Sequence, residues 1–375
     1  MRQTPPVNQA PVPFLDLGAI HRELKPDLLE EIGELIDAGA FTLGPQVAAF
    51  ERAWADYCGA AECVGLASGL DALRLGLLAA GIEPGDEVIV PAETFAATFE
   101  AVTQAGGRPV VVDVSPLDYC LDVQAAEAAI GPRTRFLMPV HLYGQLADMA
   151  ALAELAARRG LTVIEDAAQA HGATRGGPGA GALGAAAAFS FYPAKNLGAF
   201  GDAGALVTND AELAARVRAL REHGQVAKYR HEVEGYTARL DSIQALVLSR
   251  KLGYLDAWTA QRRAAARFYA DSLAGVGDLT LPPVAKASEP VWHLYVVRTG
   301  KPEELAASLR AQGIGTGRHY PEPPHLSPAY AWLGLAEGSF PVAEALSRDC
   351  LSLPMFPGIT EAQLERVAVA VAECF

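Results

Sequence analysis

Over its first two-thirds the chain alternates short, apolar, β-rich runs with longer segments whose apolar residues recur at helical spacing, and this alternation limits the fold more than any other feature. DEVIVPA (86–92), RPVVVDV (108–114), TRFLMPVHLYG (134–144), LTVIEDAAQAHG (161–172), AAAAFSFYP (185–193) and AGALVTND (203–210) read as strands. GPQVAAFERAWADYCG (44–59) reads as a helix opened by Gly-Pro and stopped at Gly59. VGLASGLDALRLGLLAAG (64–81) reads as a short strand, a turn at Ser68-Gly69, and a helix ended by Gly81. Asp148 is placed to cap the helix MAALAELAARRG. Strands separated by helices predict an α/β domain with a mostly parallel sheet. Ligands of such sheets bind at the carboxyl ends of the strands. Ser68, Phe95, Asp166 and Lys195 each follow a predicted strand, which places them in one neighbourhood.

From about Asp241 the character changes. A long helical stretch, with a break expected near Gly253, leads to VWHLYVVRT (291–299), the helix PEELAASLRAQG and a closing helix TEAQLERVAVAVAEC. With 375 residues, too many for one small core, this predicts a large α/β domain over 1–250 and a smaller α+β domain over 251–375. A net charge of -14 opposes nucleic-acid binding, which needs clustered cations to displace counterions. Five widely spaced cysteines form no CxxC or Cys/His cluster, so neither a disulfide framework nor a structural metal is expected. The first residues lack a signal-peptide core and no apolar run reaches membrane-span length, so a cytoplasmic protein is expected.

Four segments carry chemistry. In FSFYPAKNLGAFGDAGA, Lys195 lies just past an apolar strand, with Ser190 upstream; burial lowers a lysine's pKa, as Schiff-base chemistry requires. Taken alone, it reads more readily as a surface loop lysine. In VIEDAAQAHGA, Asp166 and Gln169 follow a central strand, where a buried carboxylate needs a cation such as a protonated pyridine nitrogen. The alternative is that Glu165 and Asp166 cap the following turn. In ASGLDALRLGL, small residues before a helix offer free N–H groups and a positive dipole end to a phosphate, and Ser190 can add a hydroxyl. In PAETFAAT, Phe95 can stack on a flat cofactor ring or serve as core. GAGALG (179–184) fits GxGxxG, but it follows a Gly/Pro-rich loop and precedes a strand, so it is rejected as a dinucleotide site.

In this order and spacing the four segments resemble the DegT/DnrJ/EryC1/StrS family of sugar aminotransferases, enzymes of fold type I that use pyridoxal 5'-phosphate (PLP). The similarity runs from PFLDL near the start to SLPMFPG near the end. It implies that Lys195 carries the cofactor and moves the proton, and that Asp166 pairs with the pyridine nitrogen. Gln169 is then near the ring hydroxyl, Phe95 stacks on the ring, and Ser68, Gly69, Leu70 and Ser190 hold the phosphate. Family members acting at C-4 of the sugar usually carry His three residues before the lysine. Tyr192 stands there in this chain, resembling the subgroup that acts on dTDP-linked 3-keto-6-deoxyhexoses. The resemblance further implies L-glutamate as donor, a nucleotide-linked keto-sugar as acceptor, and a ping-pong sequence. Lys228 is expected to reach a pyrophosphate in the neighbouring subunit's site, which implies a homodimer, with His319 and Tyr320 also touching the nucleotide-sugar.

Two positions depart from the family pattern. Relatives usually have Asn where this chain has Thr237, a residue that reaches the partner's phosphate; Thr keeps a hydroxyl but is shorter. Ala203 replaces a glycine, at a cost on the order of 1 kcal/mol if that position needs a positive φ. Other readings on the same fold are an aminotransferase acting at C-4 or another position, a sugar dehydratase, and a regulatory sensor. In 3-dehydratases the lysine is replaced by histidine, which Lys195 opposes. A sensor predicts loss of Lys195 or Asp166, or an added DNA-binding segment, and none of these is seen.

Overall fold

The computed structural model of the protein describes residues 10–375. Its centre is a seven-stranded sheet. The strands are β1 (Glu62–Leu66), β2 (Glu87–Pro91), β3 (Arg108–Val112), β4 (Thr134–Leu137), β5 (Thr162–Asp166), β6 (Ala186–Ser190) and β7 (Gly204–Thr208). They lie in the order β1-β7-β6-β5-β4-β2-β3. Only β7 runs against its neighbours, so β1 and β6 end at the edge where β7 begins: Leu66 and Ser190 both pair with Gly204. The remaining pairs, β2 with β3 and β4, β4 with β5, and β5 with β6, are parallel. Thus the chain segments after β1, β2, β5 and β6 converge on one rim.

The helices begin and stop where local chemistry directs. Pro45 opens Pro45–Cys58 with its φ already helical, and Gly59 closes it at φ 67°, a left-handed position that favours glycine. That helix lays Phe50 and Trp54, both fully buried, against Phe189 and Phe191 of the sheet layer. Asp148 accepts from Ala151 N at 3.2 Å and caps Met149–Arg159. The stretch after Asp241 breaks at Gly253 into Ser242–Leu252 and Leu255–Leu273.

Beyond it, β8 (Tyr295–Arg298) and β9 (Cys350–Leu353) form an antiparallel pair. They share a core with residues of Leu255–Leu273, Pro302–Ala311 and Glu361–Ala372. Val12 joins that core from the other end of the chain: its N–H donates to Gly313 O and its carbonyl accepts from Gly315 N. No helix among the described residues is long and apolar enough to cross a membrane.

The sheet strands are shorter than the runs the sequence predicts, most of all 134–144 and 161–172. The run 134–144 is regular only to Leu137, because Pro139 has no N–H for the ladder. Pairing resumes as a single bridge between Val140 and Asp166, and Leu142–Gly144 turns with Tyr143 at φ 58°. The run 161–172 leaves the sheet after Asp166, and 291–299 is a strand only over Tyr295–Arg298. GAGALG opens no helix; instead Gly181 N and Gly184 N donate to the buried Glu165 carboxylate.

Candidate active site

Lys195 sits in a turn just after β6, where its N–H donates to Tyr192 O at 2.8 Å. Asn196 beside it ties that turn to the smaller core, donating to Val291 O at 2.9 Å and accepting from His293 Nδ1 at 3.1 Å. The lysine is half-buried as a residue, yet its amine lies deep enough that burial lowers its pKa to about 8, against the opposing pull of the Asp166 carboxylate. Buried Asp166 closes β5. One carboxylate oxygen accepts from Thr98 Oγ1 at 2.8 Å and the other from Ala168 N at 3.2 Å. Burial raises its pKa, and hydrogen bonds from Thr98 and Ala168, together with the charge of Lys195, oppose that rise. Thr98 in turn shares a 2.7 Å hydroxyl contact with Thr94. Such a carboxyl stays charged once a cation is placed against it.

Gln169 is buried and held at both ends, accepting from Tyr143 N at 2.7 Å and donating to Tyr320 Oη at 3.0 Å. Phe95 is 57% exposed at the mouth, its ring centroid 5.6 Å from that of Tyr320. Tyr320 is fixed from a third side, since its N–H donates to Glu93 Oε1 at 3.3 Å. Glu93 is fully buried, also accepts from Ser347 Oγ at 2.7 Å, and is pushed up to about 8 by desolvation. His319 is half-buried. It stacks on Phe14, bonds Ser352 Oγ at 2.8 Å, and is driven down to about 4 by burial and by Lys195.

Opposite these groups, Ser68 caps the helix Gly69–Ala79 by accepting from Asp71 N at 3.0 Å. The first intrahelical bond runs from Ala72 N to Ser68 O, so the Gly69 and Leu70 N–H groups have no acceptor within the helix. A Cβ at Gly69 would lie 2.7 Å from Ser190 Cβ, and one at Gly204 would overlap the Ser68 carbonyl. Strand ends and helix start therefore meet backbone to backbone, forming a cradle that suits a phosphate. Ala203 is buried with an ordinary negative φ, so the expected glycine penalty does not arise there; the steric demand falls on Gly204.

Three expected residues are exposed, Tyr192 at the edge of this cluster and the other two apart from it. Tyr192 is 54% exposed on the Lys195 turn. Lys228 is exposed between the short strands Gln225–Ala227 and Arg230–His231, its amine 5.4 Å from the Tyr229 ring. Thr237 is also exposed; its backbone bridges Glu222 and its hydroxyl meets His223 Nε2 at 3.2 Å.

Sequence reasoning missed Glu93, Thr98, Asn196 and His293, and two buried histidines. His171 donates to Ser190 O at 2.9 Å from among Trp54, Phe189 and Phe191. His141 accepts from Ala147 N on Nδ1, which leaves Nε2 to donate to Glu165 at 2.8 Å. For Thr98 the available signal was TFAAT, whose first threonine lies in the bend before the helix Ala97–Gln104 and meets the second in its first turn.

A family model described as the DegT/DnrJ/EryC1/StrS aminotransferase family matches residues 22–372. The chain is 51% identical, over 96% of each chain, to a dTDP-3-amino-3,4,6-trideoxy-alpha-D-glucose transaminase of Streptomyces venezuelae. The solved structure of S. venezuelae DesV in complex with a ketimine intermediate superposes with a TM-score of 0.95, at 50% identity, covering 97% of this chain and 98% of that one. That of NtdA from Bacillus subtilis, with bound cofactor PMP, superposes with a TM-score of 0.90 at 32% identity, covering 98% and 86%.

Proposed function

The chain belongs to the DegT/DnrJ/EryC1/StrS aminotransferase family, and on that premise we propose that it moves an amino group from L-glutamate to C-3 of a dTDP-linked 3-keto-6-deoxyhexose. The fold is that of the type I PLP-dependent transferases, and the cofactor is PLP. The observation that carries the reading is that Lys195, its amine pKa lowered to about 8, and the buried Asp166 carboxylate feel each other's charge on the same sheet rim at which Ser68 and Gly69 open a helix.

When bound, PLP supplies an electron sink that lets an amino group pass between two carbonyl carbons. Asp166 holds the ring nitrogen protonated, at which a carboxylate buried on Thr98 is at its most effective. Gly69 and Leu70 N–H, with the hydroxyls of Ser68 and Ser190, hold the phosphate. Phe95 would stack on the ring and Gln169 would lie near its hydroxyl. Lys195, neutral for part of the time near pH 7–8, removes the proton from the donor's α-carbon and returns one to the sugar carbon. Tyr192, His319 and Tyr320 contact the sugar nucleotide.

Lys228 serves the pyrophosphate of the partner subunit's site, which makes the working unit a homodimer with shared sites; Thr237 stands where relatives usually carry the Asn that reaches the partner's phosphate. Both side chains are exposed in the single chain, as residues with work across an interface are. A cytoplasmic location agrees with such nucleotide-linked substrates.

The test uses the purified, PLP-loaded protein. L-Glutamate is expected to move its absorbance from roughly 410–430 nm to about 330 nm, and borohydride followed by peptide mapping is expected to mark Lys195. A dTDP-3-keto-6-deoxyhexose then restores the first band. Turnover of a 4-keto sugar with none of a 3-keto sugar would sink the C-3 assignment.

A further inference from the structure

Lys251 is a buried amine to which the reaction above gives no task. It lies in the helix Ser242–Leu252 with 1% of its surface exposed, and it forms no ion pair with a carboxylate among the described residues. Its ammonium donates to the carbonyl of Gly198 and to His21 Nε2, the latter at 3.1 Å. The rings of Phe200 and Trp258 lie 5.7 and 5.9 Å from it, within cation–π range. His21 stands against Phe200 edge to face and is lowered to about 4 by burial and by Lys251, so it accepts as a neutral base. Burying an ammonium with no counter-charge is costly, and a methionine of similar shape would pack the same space without that cost. The bond that the ammonium makes is the feature a methionine would lose.

That bond ends on the turn that carries Lys195. Gly198 lies three residues further on, packed so closely on the Pro193 carbonyl that a Cβ there would overlap it. Ala199 N donates to Phe191 O at 2.7 Å and closes the turn behind it. On one flank Asn196 ties the turn to Val291 and His293. On the other, the Gly198 carbonyl is held by Lys251, itself braced on His21 from the helix Leu17–His21.

We propose that Lys251 is a positioning residue for Lys195, holding the reactive turn through the Gly198 carbonyl so that the Lys195 amine stays buried beside Asp166. The inference rests on the reading of Lys195 as the reactive amine.

The test is competitive acetylation of cofactor-free protein with acetic anhydride across about pH 6 to 11, with Lys195 followed by peptide mass spectrometry. Wild-type protein is expected to reach half its limiting reactivity at about pH 8. In Lys251→Met, which keeps the length but loses the donor, the midpoint is expected to rise by about one unit or more toward the ordinary lysine value, as the turn loosens and water reaches the amine. Lys251→Gln retains one N–H donor and is expected to shift it less. If Lys251→Met does not fold, His21→Leu removes the brace from the half-buried side and must move the midpoint the same way. An unchanged midpoint in a folded variant overturns the proposal, whatever happens to Tm, because a residue that only stabilises the fold would alter Tm alone. Failure of wild-type protein to take up PLP at Lys195 would instead strike the functional reading, since the acetylation profile is measured without cofactor.

Discussion

At the scale of single residues, the site works by placing ionisable groups where water cannot reach them. Asp166 shows this most directly, being buried on Thr98 and Ala168 with Lys195 as its near cation. Asp166→Asn leaves the shape but removes the charge that would face the ring nitrogen; losing one partner of a buried pair costs about 3–5 kcal/mol, roughly two to four powers of ten in turnover. Single-turnover kinetics with L-glutamate would check this, and retention of near wild-type rates would remove Asp166 from its role. Glu93 gives a pH prediction with a definite sign. Its folded-state pKa is raised to about 8 from 4.5, so the folded chain holds a proton that the unfolded chain releases. Its contribution to stability is present below about pH 4.5 and is lost as pH rises toward 8. Glu93→Gln should therefore lose less Tm between pH 5 and 8 than wild type, measured by thermal melts at constant ionic strength. Lys195, Asp166 and Gln169 were legible in the sequence because strand ends and motif spacing mark them. Glu93 and Asn196 were not, because their partners, Ser347 and His293, lie far along the chain and only the fold brings them close.

At the scale of elements, periodicity and glycine punctuation located most of the helices and sheet strands, including the break at Gly253. What they could not supply was the point at which a buried apolar run stops being a strand. Residues 138–144 remain buried after β4 ends, so hydrophobicity continues while the ladder does not. The antiparallel direction of β7 was equally invisible, since a fully buried strand reads the same either way. The same local geometry settles the GDAG segment. Ala203→Gly is expected to leave PLP affinity unchanged within about twofold and stability slightly lower, from the added backbone freedom of the unfolded chain. Gly204→Ala drives a methyl into the Ser68 carbonyl and should weaken PLP binding by an order of magnitude or more, on the scale of ~1–3 kcal/mol for overpacking. Fluorescence titration of both variants with PLP separates the two positions.

At the scale of the whole molecule, the role proposed for the exposed Lys228 and Thr237 calls for a second subunit. Lys228→Ala should raise KM for the sugar nucleotide about tenfold while leaving the glutamate half-reaction intact, as loss of a phosphate-directed charge would. Mixing Lys228→Ala with Lys195→Ala protein gives a sharper check. A dimer with shared sites recovers activity in the heterodimer, because one of its two sites has both lysines; separate sites would show no such rescue.

The reversed β7 has a consequence for how this active site can change. Ser190 pairs with Gly204, and Phe191 N donates to Ala203 O, so the segment that carries Lys195 leaves the sheet and returns to it at almost the same point. It is a closed loop of the Ω kind, whose two ends are clipped together beneath the chemistry. Such a loop can vary at its exposed positions, Tyr192 and Phe200, without altering the register of any strand, while the lysine's depth is governed by contacts from outside the loop, Val291 and His293 on Asn196 and Lys251 on Gly198. On the function proposed above, new sugar preferences can arise at those exposed positions with the sheet left untouched.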